Sequence, residues 1–220
     1  FNRAGEEEFT LQSSGSTGLG RSMISDTEMD PHLLYVGEPL WSISRLVPRG
    51  RVRLFSFAQN WDESIVATFE GLVAFTENQA EYVGEKLFLS TDFDGDGQRE
   101  LLTTIRKDGD RNTLLWSSRD RNRIGESQPP VNTRRSYGES FLSGALYGRN
   151  YEDTYLVGAP RAQSDDGLGV LFELDDVGQP AYFIPSEEGQ DGAGQSMSAL
   201  IKDETSYIFI GNRSGRVLYY

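Results

Sequence analysis

The chain contains no cysteine, and its 220 residues include a single histidine, His32. Without cysteine, the protein cannot form disulfides, thiolate nucleophiles, or cysteine-ligated zinc and iron–sulfur centres. A serine–histidine triad or a multi-histidine zinc site would have to be built around the one ring. His32 follows a proline and precedes an apolar run, which is typical of a turn or a strand edge. We therefore predict that this chain is not an enzyme by itself.

Basic residues are also few. Lys and Arg number 21 against 34 Asp and Glu, which gives a formal net charge of −13 at pH 7. A chain this acidic repels nucleic acid and anionic lipid, whereas divalent cations and basic proteins suit it as partners. No segment approaches the roughly 18–20 apolar residues that a membrane-spanning helix needs. We expect neither nucleic-acid binding nor membrane insertion by this chain.

Helical periodicity is missing as well, whereas short β-type runs are frequent. Stretches such as "RVRLFSF", "ELLTTIR", "TYLVGA" and "YIFIGN" are apolar or alternating, and turn residues bound them. No stretch keeps a helical period over about ten residues with a cap at each end. The sequence therefore predicts an all-β chain.

The β-type runs recur in four units, each opening at a glycine. The four leading glycines, Gly20, Gly84, Gly138 and Gly194, are 64, 54 and 56 residues apart. Each unit has a strand, a polar loop, an apolar strand and a third strand, and a weaker fourth strand such as "SIVATFE" or "AYFIP" precedes the next unit. Four strands in about 55 residues is the spacing of β-propeller blades. We place the repeats at about residues 15–70, 79–128, 133–185 and 189–220.

These units resemble the FG-GAP repeat of the integrin α-subunit propeller and of glycosylphosphatidylinositol-specific phospholipase D. The segments "YLVGAP" and "GVLFEL" are similar to the second and third strands of that repeat, and "STDFDGDGQRELL" to its calcium loop. The resemblance covers about residue 15 to residue 220. It departs from the family where a phenylalanine usually precedes the leading glycine: Leu19, Val83, Tyr137 and Ala193 stand there.

The resemblance implies a β-propeller of four-stranded blades with calcium in its loops. The family has seven repeats, whereas this chain has four. Four blades could close alone if residues 1–14 supplied a strand beside residues 215–220. An open arc would instead expose two apolar blade faces to water. We expect this chain to be part of a larger, seven-bladed propeller, completed by residues or a partner chain beyond these 220.

Residues 92–100, "DFDGDGQRE", gather four carboxylates around two glycines. Alternation aims the three aspartates to one side, and Gly97 permits a turn with positive φ. Calcium takes six to eight oxygen ligands. An EF-hand loop would need a glutamate at the twelfth position, where Thr103 stands. The sequence therefore predicts a hairpin Ca²⁺ site rather than an EF-hand or a solvated turn, with these ligands: Asp92, Asp94, Asp96, the Gln98 backbone carbonyl and Glu100.

A second acidic segment, "SDTEMDPH", carries alternating carboxylates but no glycine. We interpret it as a solvated turn, with a cation loop as the weaker alternative. Its carboxylates are Asp26, Glu28 and Asp30. The tripeptide Asn212-Arg213-Ser214 is an N-glycosylation sequon, which is used only if the source glycosylates.

In the integrin-type propeller, ligands contact the face opposite the calcium loops. The resemblance places on that face Trp41, Arg45, Arg49, Arg134, Arg135 and Arg161. Tryptophan and arginine are common interface anchors, although a core or edge position for Trp41 is an equal alternative.

From these features we predict a calcium-stabilised, extracellular or cell-surface module for protein recognition or adhesion. Two alternatives stay open. One is the non-catalytic propeller portion of a secreted enzyme such as a phospholipase D, and the other is a structural subunit of a surface assembly.

Overall fold

The structure of the chain is a computed structural model. It describes residues 17–27, 32–42, 49–57, 63–70, 82–92, 94–107, 110–127, 136–144, 154–160, 170–174, 180–185, 192–202, 205–212, 215 and 217–219. Regular structure in these ranges consists of β-strands, so the all-β prediction is confirmed. No helix in the described part is long and apolar enough to cross a bilayer.

The strands form four antiparallel sheets, each ordered as the strands follow in the chain. The first sheet contains β1 (Met23–Asp26), β2 (His32–Glu38), β3 (Arg51–Phe57) and β4 (Glu63–Glu70). The second contains β5 (Leu87–Leu89), β6 (Leu101–Lys107), β7 (Asp110–Trp116) and β8 (Arg123–Ser127). The third contains β9 (Ser140–Gly144), β10 (Thr154–Ala159), β11 (Val170–Leu174) and β12 (Pro180–Pro185). The fourth contains β13 (Ser196–Lys202), β14 (Thr205–Gly211) and β15 (Val217–Tyr219).

One sheet lies within each of the four repeat ranges expected from the sequence. The short runs form strands because apolar side chains alternate along them and turn residues interrupt them. Every leading glycine adopts the left-handed conformation, with φ between 73° and 91°. Residues 1–14, the expected closing strand, lie outside the described residues.

Successive sheets pack face to face in chain order, and a hydrophobic cluster fills each of the three junctions. The first junction joins Tyr35 and Leu54 to Leu101 and Trp116. The second and third clusters contain, respectively, Leu102, Leu115, Tyr137 and Val157, and Leu156, Ile208 and Ile210. At the first and third junctions the first strands of the two sheets touch, β1 with β5 and β9 with β13. Each sheet therefore stabilises its neighbour in sequence.

The fourth sheet buries only one of its faces. Ile208 and Ile210 on β14 pack against the third sheet, and the alternate residues point to the other side. Leu200 lies opposite Tyr207 on β14 in the strand register, and Val217 lies opposite Gly211. We name this side the outer face of the fourth sheet; its exposed apolar residues are Leu200, Tyr207, Phe209 and Val217.

The first sheet differs at its corresponding end. Tyr35 and Leu54 face the second sheet, so the alternate residues Val36 and Phe55 face away from it. Both of these side chains are nevertheless fully buried. The side of the first sheet that faces away from the second sheet is therefore buried, whereas the outer face of the fourth sheet is exposed.

A candidate metal centre between strands five and six

The acidic loop joins β5 to β6, and its neck is closed by backbone pairing. The Ser90 N–H donates to the Glu100 carbonyl at 2.9 Å, and the Ser90 hydroxyl donates to the same oxygen at 3.3 Å. These bonds hold the two ends of the loop together where the strands separate. They also fix Glu100 at the base of the loop, where its side chain is fully buried.

The structure brings together the four carboxylates of the predicted site. Asp92, Asp94, Asp96 and Glu100 each place an oxygen within 4.8 Å of the others. This is the single group of three or more potential metal-ligating acids or histidines within the described ranges. Asp94 is exposed, Asp92 and Asp96 are partly buried, and Glu100 is buried, so the cluster reaches from solvent into the fold.

Backbone N–H groups hold the aspartates in position. The Asp96 N–H donates to Asp92 Oδ1 at 3.0 Å and to Asp94 Oδ1 at 3.1 Å. Gly97 N–H donates to Asp92 Oδ2 at 2.8 Å, and Gln98 N–H donates to Asp96 Oδ1 at 2.8 Å. Gly97 has a φ of 86°, as the sequence predicts for the turn. The loop backbone therefore orients the three aspartates of its own turn.

The donor set fits a hard cation. An ionised carboxylate has about four acceptor positions, so the one or two N–H bonds that each aspartate accepts leave other positions available. Asp96 Oδ2 is buried and accepts no hydrogen bond from the described residues. All the gathered side chains are oxygen donors, which suits calcium better than zinc or copper. Coordination by the Gln98 carbonyl stays a prediction.

The charge of the loop reaches the first junction. Burial raises the pKa of Tyr35, and the negative charges of Asp26 and Glu100 raise it further. The opposing influence is the hydrogen bond of 3.1 Å between the hydroxyl groups of Tyr35 and Ser118. A cation in the cluster would offset part of this negative potential at the contact between the first two sheets.

The second acidic segment is only partly described. Asp26 ends β1 and is buried, whereas Glu28 and Asp30 lie outside the described residues. The solvated turn that the sequence favours at this place stays a prediction.

Two of the expected recognition residues lie together beside the first sheet. The Arg49 N–H donates to the Trp41 carbonyl at 2.9 Å. The Trp41 ring lies 4.5 Å from the Arg51 guanidinium, and Arg51 forms an ion pair with the buried Glu38. Trp41 therefore also has the edge role that the sequence left open. The other four expected residues, Arg45, Arg134, Arg135 and Arg161, lie outside the described part of the chain.

The sequon begins at a buried side chain. Asn212 is 7% exposed, whereas a glycosylated amide must be open to solvent. Arg213 and Ser214 are not among the described residues. The burial of Asn212 counts against the use of this sequon, and glycosylation stays a prediction.

Sequence reasoning missed an ionic network across the second junction. Glu85 binds Arg106 with two hydrogen bonds of 2.8 and 3.0 Å, and Arg111 bridges Glu85 and Glu139. Lys86 adds a contact of 3.3 Å to Glu139. One feature of the sequence could have indicated this network, because Glu85 and Glu139 both directly follow a leading glycine.

The network lowers the pKa values of both glutamates. Burial alone would raise the pKa of Glu85, but the hydrogen bond from Arg106 and the charges of Arg111, Arg106 and Arg21 outweigh it. Burial alone would also raise the pKa of Glu139. The hydrogen bonds and charges of Arg111 and Lys86 outweigh the effect of burial and lower this pKa. Both carboxylates are therefore held in the ionised form.

No protein-family model matches the chain, and no curated protein matches its sequence. The fold and the loop geometry must therefore carry any functional assignment.

Proposed function

We propose that this chain is a calcium-stabilised β-propeller module for protein recognition at the cell surface or outside the cell. The observation that carries this proposal is the cluster in the β5–β6 loop. Four carboxylates from nine consecutive residues lie within 4.8 Å of one another, and backbone N–H groups orient them. Without a cation, four such groups would repel one another.

The sheets support the propeller part of the proposal. Each repeat range contains a small antiparallel sheet in meander order, and consecutive sheets pack face to face. In an FG-GAP-like propeller each of these sheets is one blade. The exposed outer face of the fourth sheet favours a propeller larger than four blades, because water disfavours an apolar face of this kind.

The proposed role of calcium is structural. The loop connects the first two strands of the second sheet, and its charge reaches Tyr35 in the first sheet. A bound ion would tie the loop ends and reduce the repulsion beside this junction. Calcium would then stabilise the recognition module without itself taking part in a reaction.

The recognition surface is proposed at the other end of the sheets. The starts of β1 and β5 lie side by side, because the Ser22 hydroxyl donates to the Gly84 carbonyl at 2.7 Å. The loop after β2, with Trp41 and Arg49, is therefore at the end opposite to the calcium loop. The Trp41 ring lies beside the Arg51 guanidinium, and such a pair is a common element of protein interfaces.

Calcium titration tests the proposal directly. We expect calcium to raise the melting temperature of the purified chain and a chelator to lower it, since binding to the folded state stabilises by about 2.7 kcal/mol at 100 times Kd. Asp94→Ala should remove most of this dependence. The matched control is Asp120→Ala, an exposed aspartate in a turn outside the cluster.

Isothermal titration calorimetry provides the second measurement. It should show one site per chain that prefers Ca²⁺ to Mg²⁺, because Mg²⁺ requires stricter octahedral geometry and gives up water reluctantly. A chain with no calcium heat and a melting temperature indifferent to calcium and chelator would refute the proposal.

A structural subunit of a surface assembly is the second candidate. The outer face of the fourth sheet favours it, because exposed apolar patches of this kind mark places of association. Mass measurement in solution separates the two functions: a recognition module stays monomeric without its ligand, whereas an assembly subunit forms oligomers as its concentration rises.

A further inference from the structure

Two of the three junctions contain the same polar contact. The hydroxyl of Ser22 in the first sheet donates to the carbonyl of Gly84 at the second sheet, at 2.7 Å. The hydroxyl of Ser140 in the third sheet donates to the carbonyl of Gly194 at the fourth, at 2.6 Å. In both cases a serine two residues after one leading glycine binds the next leading glycine. We name this contact the serine lock.

Each serine lock also needs a glycine on the second strand of its sheet. A Cβ built on Gly37 would lie 2.1 Å from the Gly84 carbonyl oxygen and 2.6 Å from Ser22 Oγ. A Cβ built on Gly158 would lie 2.2 Å from the Gly194 carbonyl oxygen. Both glycines therefore leave the space into which the neighbouring sheet brings its carbonyl.

The fourth sheet contains the same serine and glycine. Ser196 is two residues after the leading Gly194 and lies opposite Gly211 in the register of β13 and β14. A Cβ built on Gly211 would lie 2.3 Å from Ser196 Oγ, and the three nearest atoms all belong to Ser196. The side chain and the open space of a serine lock are thus both present on the outer face.

The apolar positions around this pair repeat those of the covered faces. The register makes Phe209 the counterpart of Tyr35 and Leu156, which are fully buried, whereas Phe209 is 36% exposed. Val217 is the counterpart of Val52, which is fully buried, and Val217 is 64% exposed. The outer face therefore has the composition and geometry of a junction whose second side is missing from the described residues.

We propose that the outer face of the fourth sheet binds a fifth repeat sheet, whose leading glycine offers its carbonyl to Ser196 Oγ. This inference rests on the proposed function, because it specifies how the propeller continues beyond four blades. The first sheet of a second copy fits less well, since Val36 and Phe55 on its free side are already buried. Continuity with the three existing junctions favours a repeat sheet over an unrelated partner.

An extended chain tests the proposal. A second copy of residues 175–220, placed after Tyr220, supplies a strand equivalent to β12, then a leading glycine and a copy of the fourth sheet. The melting temperature should rise by about 5 °C or more, because a new apolar junction is buried. Ser196→Ala should raise the unfolding equilibrium constant of the extended chain about fivefold, and leave that of the 220-residue chain unchanged. Ser198→Ala, on the same face, is the matched control.

Thiol labelling gives a readout that does not depend on stability. The chain has no cysteine, so Val217→Cys introduces a unique thiol on the outer face. A thiol reagent should react fast with the 220-residue variant, and at least about tenfold more slowly with the extended one, because burial blocks access. Ile124→Cys, on β8 and also exposed, should react equally fast in both chains.

Three results would overturn the proposal. The thiol reacts equally fast in both chains, or a protease removes the added residues while the first 220 stay intact. Alternatively, the thiol is already protected in the 220-residue chain, which would show that its own residues or a second copy occupy the face. None of these measurements requires calcium. The proposal of a fifth sheet can therefore be refuted while the calcium proposal stands, and the reverse also holds.

Discussion

The second junction of the molecule is held together differently from the first and the third. The outer two use a serine lock, with Ser22 or Ser140 donating to the carbonyl of the next leading glycine. At the second junction the position of the serine is occupied by Lys86, and that of the opposite glycine by Thr104. The strand register is the same, so the repeat tolerates a change of chemistry at a fixed place in the backbone.

Charge takes the place of the hydroxyl at the second junction. Arg111, on β7, contacts Glu85 at 3.2 Å and also pairs with Glu139, which precedes β9. Thr104 fills the space of the missing glycine, because a Cβ built on Gly138 would lie only 2.6 Å from its methyl group. The comparison indicates that the third junction should respond little to pH and salt, whereas the charged second junction should respond to both.

The largest expected effect comes from filling the space of a serine lock. Gly158→Ala should lower the free energy of unfolding by about 3 kcal/mol, because the new methyl group meets the backbone of the next sheet. Urea unfolding followed by tryptophan fluorescence measures it. Gly211→Ala is the control, since the one close contact of its methyl group would be with Ser196 Oγ, which can rotate away. Equal losses in both variants would contradict the lock geometry.

Removing one charge from the second junction should have the next largest effect. Glu85→Gln leaves Arg111, which is largely buried, with one carboxylate fewer, and we expect a loss of about 2 kcal/mol at pH 7. Asp120→Asn, in an exposed turn, is the control and should change stability little. Urea unfolding of both variants beside the parent chain measures the difference. A loss no greater than that of the control would show that the network does not hold this junction.

The parent chain and Glu85→Gln should also differ in how their stability depends on pH. The folded-state pKa values of Glu85 and Glu139 lie below the ordinary value of 4.5. Their contribution to stability is therefore fully present above that value and is lost as the pH falls through the lowered ones. The gap in unfolding free energy between the parent chain and Glu85→Gln should narrow on this acid side. A gap that stays constant below about pH 4.5 would contradict the assigned pKa directions.

A single hydroxyl should matter less than either change. Ser140→Ala removes a buried hydrogen bond to the Gly194 carbonyl and should cost about 1 kcal/mol. This loss should be the same in low and high salt and between about pH 5 and pH 8, since neither partner titrates there. Ser198→Ala, at an exposed position, is the control. A loss that salt reduces would mean that the third junction depends on charge as the second does.

The sequence was sufficient for the sheets and for the acidic loop because both are local. Alternation and turn residues fall within short windows, so strands such as "TYLVGA" could be identified directly. The carboxylates of residues 92–100 are close in space because they are close in the chain, and Gly97 takes the positive φ expected of it.

The junctions were not predictable in the same way. The contact of Ser140 with Gly194 spans 54 residues, and that of Arg111 with Glu139 spans 28. Neither pair forms a local pattern, and each depends on how one sheet packs on the next. Repeat position was the usable signal, because the residues one and two places after the first three leading glycines make contacts of this kind. The same numbering identifies Ser196 as the equivalent serine on the outer face.

The smallest expected effect concerns Lys86, which stands where the other junctions have their serine. Its ammonium group lies 3.3 Å from Glu139, but the side chain is 38% exposed, so water and salt weaken the pair. Lys86→Ser should lower the free energy of unfolding by about 0.5 kcal/mol or less, and about 0.5 M salt should remove the difference. The new hydroxyl should not form a serine lock, because Thr104 rather than glycine lies opposite. Equilibrium unfolding at two salt concentrations measures this, with Lys86→Ala as the matched variant without a hydroxyl. If Lys86→Ser is more stable than Lys86→Ala by about 1 kcal/mol, the hydroxyl has found the next carbonyl, and the glycine opposite is not required for a serine lock.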